Sequence, residues 1–146
     1  MGGRTILLGG LRGVVGAMTM TGARTLAAEF GLMTKGTPPE QVAEEGVPQV
    51  LGPVPRGMRP AAIDILHLGY GGAGGALYGR LPRGWRRRWY TGPLYGVALW
   101  FIYLVGIAPL LGLRLERRRE IREWAVLAAD HVLYGVIVSR LGPPVD

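Results

Sequence analysis

Residues 91 to 113, TGPLYGVALWFIYLVGIAPLLGL, run for 23 positions without a charged side chain. Coiled into a helix at about 1.5 Å per residue, such a run reaches roughly 34 Å, enough to cross a hydrocarbon core of about 30 Å. The central helix of a soluble domain seldom exceeds about 20 residues without a charged face. The run therefore reads as a transmembrane span, and the rest of the chain has to be arranged around it.

Three further segments are long enough to cross but carry polar residues. Residues 6 to 31 hold Arg12, Arg24 and Glu29; 61 to 81 hold Asp64, His67 and Arg80; 124 to 141 hold Asp130, His131 and Arg140. Arg12, Arg80 and Arg140 lie near enough to helix ends for their guanidinium groups to snorkel to the interface. Arg24, Asp64, His67, Asp130 and His131 lie deeper and are expected to face protein. The first segment has the basic start and small residues of a secretory signal, but Arg12 interrupts its apolar core. Composition agrees with a membrane chain: 25 glycines and 11 prolines in 146 residues, a mean hydropathy of +0.23 and a net charge of +7. Glycine is tolerated in membrane helices because it lets backbones approach closely. The absence of cysteine excludes disulfides, thiol nucleophiles and thiolate metal sites.

The linkers differ in character. Residues 36 to 60 hold six prolines and read as an ordered loop at the membrane surface, with a short helix from Thr37 to about Gly46 opened by the capping pair Thr37 and Glu40. The second linker, RLPRGWRRRWY, carries Arg83, Trp85, Arg86, Arg87, Arg88 and Trp89 and has the composition of an anchor at the level of anionic lipid headgroups. Lipid is the expected partner of this arginine run, and nucleic acid is not. The third, RLERRREIREW, mixes signs and is expected to prolong the fourth helix. A strict count of basic residues on the two sides is a tie; the short, undiluted second linker argues for both termini in the cytoplasm.

Residues 67 to 79, HLGYGGAGGALYG, contain a literal G-x-G-x-x-G at Gly69, Gly71 and Gly74. A dinucleotide site would need a preceding strand, a long following helix and an acid roughly 20 residues on, and Pro82 and the arginines deny it the last two. Gly71, Gly75 and Gly79 instead step by four from His67 along one helical stripe, a smooth face for a partner helix. Gly92 and Gly96 offer a second such face. Pro109 should bend the third span by removing the hydrogen bond to the carbonyl of Val105.

The chain also repeats. His67, Tyr70 and Gly71 form H-x-x-Y-G, and the pattern returns as His131, Tyr134 and Gly135, with an aspartate upstream in both copies; Gly10 and Gly13 echo Gly92 and Gly96 more faintly. The reading is two similar helical hairpins in parallel repeat. Arg24, Asp64, His67, Tyr70, Asp130, His131 and Tyr134 then form one polar layer inside the bundle. Ionisable groups at that depth are costly unless paired, so the layer either clamps the hairpins together or carries a proton or small solute. His67 and His131 are also conceivable axial haem ligands, although two histidines are few for that chemistry. Ser139, the only serine, lies far from His131 along the span and completes no triad, so an enzyme is not expected.

Gly92, Gly96, Trp100, Pro109, Gly112 and Leu113, followed by Glu123, His131 and Tyr134, resemble the carboxyl half of the YagU-like bacterial inner-membrane proteins, a family with no established biochemical function. The resemblance implies a small four-span inner-membrane protein and supplies no catalytic residues. The expectation from the sequence is one all-α domain over residues 1 to 146, an integral membrane four-helix bundle without a cofactor. Such a bundle is expected to form a homo-oligomer or to join a larger membrane complex through its glycine faces, most plainly in a structural or accessory role.

Overall fold

The computed structural model describes residues 3–33, 51–110 and 120–140, and all regular structure among them is helical. Helix α1 spans Gly3–Glu29, α2 spans Arg59–Arg80, α3 begins as Thr91–Ile102, and α4 spans Ile121–Arg140. Gly3–Glu29 and Thr91–Leu110 are long and apolar enough to cross a membrane. The expected short helix from Thr37 to Gly46 and most of the third linker lie outside the described residues.

Each boundary has a local cause. Past the last residue of α1, Gly31 takes φ +69°, a conformation that glycine adopts without a Cβ penalty. The amides of Gly31 and Leu32 then donate to the carbonyls of Ala28 at 3.0 Å and Ala27 at 2.8 Å, the paired bonds of a Schellman ending. Pro60 sits in the first turn of α2, where its missing N–H is not needed. At the other end Leu81 is extended, with ψ 148°, because Pro82 behind it disfavours the helical region. A four-residue helical turn, Arg83–Arg86, leads to α3.

The third helix runs through Pro109 with a change of winding. Tyr103–Ile107 forms a π turn, in which the amide of Ala108 donates to the carbonyl of Tyr103 five residues back, and Ala108–Leu110 returns to α geometry. The expected loss of a bond at Val105 is thus absorbed by a wider turn just ahead of the proline.

Glycine sets how closely the helices pack. α1 and α2 run antiparallel with Gly9 and Gly13 against Gly71, Gly75 and Gly79. A Cβ on Gly13 would collide with the Gly71 carbonyl oxygen, one on Gly75 with that of Gly9, and one on Gly79 would stand 2.7 Å from that of Thr5. α3 and α4 meet in the same way: a Cβ on Gly96 would strike the His131 carbonyl oxygen, and one on Gly135 that of Gly92. The partner of Gly13 on the α1 seam is Gly9, four residues away. Gly10, the residue of the expected echo, has more room, with the Gly72 carbonyl at 3.5 Å from its would-be Cβ. Gly75 lies between Gly9 and Gly13 as Gly135 lies between Gly92 and Gly96. That register is one turn away from the alignment of Gly71 with Gly135.

α1 also packs on α4, where the Tyr134 ring covers Gly16. Tyr134 donates to the Gly71 carbonyl at 2.6 Å, and Tyr95 from α3 donates to that of Gly74 at 2.6 Å, so both phenols pin α2 through its backbone. The largest apolar cluster joins Met20, Tyr78, Tyr134 and Val138, with Leu81, Tyr95 and Leu99 against it. A second holds Ala27, Met33 and Leu127 beside Trp100 and Trp124. Leu51 and Ile63 form a third, which ties the chain ahead of α2 to its first turn.

The outside is the more apolar part. Leu7, Leu77, Leu94, Phe101, Val105 and Leu110 are all more than half exposed, while glycine seams, small apolar clusters and a charged pair fill the contacts within.

The seams give a direct expectation. Gly75→Ala and Gly96→Ala each push a methyl into backbone that has no rotamer to move, and should destabilise the protein by about 1–3 kcal/mol. Gly69→Ala in the same α2 helix meets nothing within 4 Å and should leave the midpoint unchanged or raise it. Thermal unfolding in detergent compares the three; equal midpoints would sink the close-packing account.

Candidate functional site

The buried face of α4 reads Glu123, Leu127, Asp130, Tyr134 and Val138, the spacing of one helical stripe. Asp130 lies in the middle of it and meets Arg24 from α1. Arg24 Nε donates to Asp130 Oδ2 at 2.7 Å, with the two side chains only 6% and 2% exposed. The same guanidinium reaches α2, where its Nη2 lies 3.2 Å from His67 Nε2. One arginine therefore ties three helices.

The chemistry fixes the proton on His67. A guanidinium has donors and no acceptor, so Nε2 must be the accepting nitrogen and a neutral His67 carries its hydrogen on Nδ1. His131 is set differently: its Nδ1 lies 2.7 Å from the Leu127 carbonyl, which can only accept, so Nδ1 bears the hydrogen there too. Its ring stacks on Trp100, with centroids 5.8 Å apart and planes at 26°, and Trp100 in turn meets Trp124 at 5.9 Å. Asp130 Oδ1 is buried and receives no hydrogen bond from the described residues.

Of the seven residues expected in the polar layer, Arg24, His67 and Asp130 form the bonded cluster. Tyr134 is buried one turn along α4, and His131 lies on the adjoining, half-buried face. Asp64 and Tyr70 do not join. Asp64 is exposed and Tyr70 is 48% exposed. Each is three residues from His67, so each is turned by about 60° from its direction, on opposite sides of α2. Depth along the helix brings them to the cluster's level; their angle around it takes them away.

Three further packed residues lie outside the expected polar layer, two of them, Trp100 and Glu123, marked in the sequence only by the family resemblance. Glu123 is buried at 3% exposure; its signal was the seven-residue step to Asp130, hidden by its place in a charged linker. Trp100 and Trp124 pack on each other and on the Ala27, Met33 and Leu127 cluster, with Trp100 against the His131 ring, and four- and seven-residue steps to their neighbours hint at it. The fit to haem iron is poor at His67. An axial ligand offers a ring lone pair, and the lone pair of Nε2 is already engaged by Arg24 while Nδ1 is protonated. Among the described residues no three His, Cys, Asp or Glu side chains form a group that could hold a metal ion.

At the end of the bundle away from Asp130, Arg83, Arg87 and Arg88 are exposed, as are Trp85 at 60% and Trp89 at 72%. Arg86 turns back, its Nε donating to the Leu81 carbonyl at 3.0 Å. Arg88 Nη1 donates to the Tyr90 hydroxyl at 2.6 Å, with its guanidinium 5.9 Å from that ring's centroid. Comparison with protein-family models, with curated proteins and with solved structures gives no match.

Removing one member of a buried, hydrogen-bonded ion pair strands the other charge and costs about 3–5 kcal/mol. Asp130→Ala and Arg24→Ala should therefore each unfold much earlier than the parent, whereas the double change Arg24→Met with Asp130→Leu should recover a large part of the loss. Thermal unfolding of the four proteins decides it, and additive losses in the double variant would refute a coupled pair.

Proposed function

We propose that this chain is a polytopic membrane protein, a bundle of four spans in a bacterial inner membrane, whose role is structural or accessory within a membrane assembly. The observation that carries the reading is the inverted distribution of polarity. Leu, Ile, Val and Phe side chains cover the outside of the helices, and glycine seams and the Arg24–Asp130–His67 cluster fill the inside. In water that arrangement would leave many large apolar side chains exposed, as surfaces that meet lipid or a partner do. In lipid it is the expected one, since close backbone contact and interhelical hydrogen bonds replace the hydrophobic effect as glue. The apolar windows of α1 and α3 are only 28% and 11% buried, unlike the core helices of a soluble domain.

In this reading the cluster is a clamp. It joins α1, α2 and α4 at a depth where an unpaired charge is expensive, and so fixes their rotation. The two glycine seams support a pair of related hairpins, and the likeness to the YagU-like proteins fits the same architecture. The short, undiluted arginine run of the second linker supports an orientation with that linker and both termini in the cytoplasm.

A second reading, movement of a proton or small solute, draws on one observation: Asp130 Oδ1 is buried and, among the described residues, without a hydrogen-bond donor, next to a histidine whose protonation would break its bond to Arg24.

The native chain has no cysteine, which makes accessibility labelling clean. Gly84→Cys should label with an impermeant maleimide only from the cytoplasmic side of oriented vesicles, Gly57→Cys and Glu120→Cys only from the other, and Val105→Cys from neither. Labelling of Gly84→Cys and Gly57→Cys from one side overturns the crossing pattern. For the second reading, Asp130→Asn, which keeps an oxygen to accept from Arg24, should abolish a pH-driven flux in proteoliposomes assayed below the variant's own unfolding midpoint; parent protein that leaks no faster than empty vesicles removes it.

A further inference from the structure

The charges of this molecule are sorted by end. α1 begins, α2 ends, α3 begins and α4 ends at one pole, as the approach of Gly79 to Thr5 and of Gly92 to Ser139 requires. At that pole α1 contributes Arg4 and Arg12, α2 contributes Arg80, α4 contributes Arg140, and the linker contributes four more; no described carboxylate lies there. The other half holds four described arginines and all five described carboxylates, Glu29, Asp64, Glu120, Glu123 and Asp130. The formal balance among described residues is thus +8 against −1, counted as eight arginines with no acid and four arginines with five acids.

Two features narrow what this pole would meet. The exposed guanidinium groups of Arg83, Arg87 and Arg88 alternate with exposed indoles at Trp85 and Trp89. Indole is amphipathic and favours the boundary between headgroups and acyl chains. Directly beneath the linker stand exposed apolar side chains of the helices themselves, Leu7, Leu77 and Leu94. Arg88 donates to the Tyr90 hydroxyl, and Arg86 is turned onto the Leu81 carbonyl.

We infer that the Arg83–Trp89 linker is a docking surface for the phosphate groups of anionic phospholipids, with Arg83, Arg87 and Arg88 making the charge contacts and Trp85 and Trp89 seated among the glycerol backbones. This rests on the membrane reading above. Each basic side chain near an anionic leaflet adds a favourable, salt-screened attraction. The surface therefore biases which leaflet the linker occupies and adds to the bundle's stability where such lipids are present.

The test reconstitutes the full chain into vesicles of phosphatidylcholine alone and of phosphatidylcholine with roughly 30% phosphatidylglycerol, and reads flotation and thermal unfolding. The inference expects flotation with both, and an unfolding midpoint higher in the anionic vesicles by on the order of 5 °C, lost at high salt and reduced to a small remainder in Arg83→Gln/Arg87→Gln/Arg88→Gln. These side chains are exposed, so the variant should fold with parental helicity, and its midpoint in neutral vesicles, lowered by no more than the loss of the surface contacts of Arg83 and Arg88, is the baseline from which its own anionic shift is read. Equal midpoints in the two vesicles, or an undiminished shift in the variant, overturn the lipid surface while flotation leaves the membrane reading standing. The same shift produced by inorganic phosphate in detergent, or tighter binding to a short RNA than to anionic vesicles, also overturns it. Failure to float with either vesicle overturns the membrane reading itself.

Discussion

The contact on which the rest of the structure depends is backbone against backbone. At both glycine seams a carbonyl oxygen occupies the space that a Cβ would need. Helices that approach this closely gain dispersion contact along their whole shared length and leave no room for side chains between them. Large side chains are accordingly pushed outward, where they form the apolar exterior. Along the seams themselves there is no room for side-chain packing, and beyond them the apolar clusters around Met20, Val138 and Leu127, a few phenols and one charged cluster fill the interior. Tyr134 and Tyr95 reach α2 carbonyls that already have their own helical partners, using the second lone pair of each.

The charged cluster and the seams do different work. A seam permits sliding and modest rotation, because glycine offers no shape to lock. Arg24 removes that freedom: one planar group held by Asp130 and His67 admits a single rotation of α1 relative to α2 and α4. Exchanging a buried pair for apolar residues often leaves stability intact, and the geometry given to this pair is that of one guanidinium meeting two other helices.

How much of this was legible depends on which coordinate is asked for. Position along the axis was readable: the uncharged run from Thr91, the level shared by Arg24, His67 and Asp130, and the glycine faces at Gly71, Gly75, Gly79, Gly92 and Gly96 all come from spacing and composition. Angle around the axis was less so. Asp64 and Tyr70 share the level of the cluster and miss it by a fraction of a turn, and Gly9 replaces Gly10 at the seam for the same reason. Glu123 was hidden because a sign-alternating linker resembles a solvated face until the helix containing it is phased against Asp130. The tautomers of His67 and His131 required knowing which partner each nitrogen meets, which no sequence states.

The widened turn at Tyr103–Ile107 has a bearing on phase. In an uninterrupted α-helix Ala108 would lie about 120° around the axis from Gly96; because the π turn absorbs one residue, the two fall within about 20° of each other. Ala108 is fully buried, in keeping with the inner side of α3 being carried through the bulge. The extra residue thus works as a vernier between the glycine-lined half of α3 and its proline-bearing tip. A chain one residue shorter in this stretch could wind as plain α-helix and still present Gly92, Gly96 and the alanine along a single line.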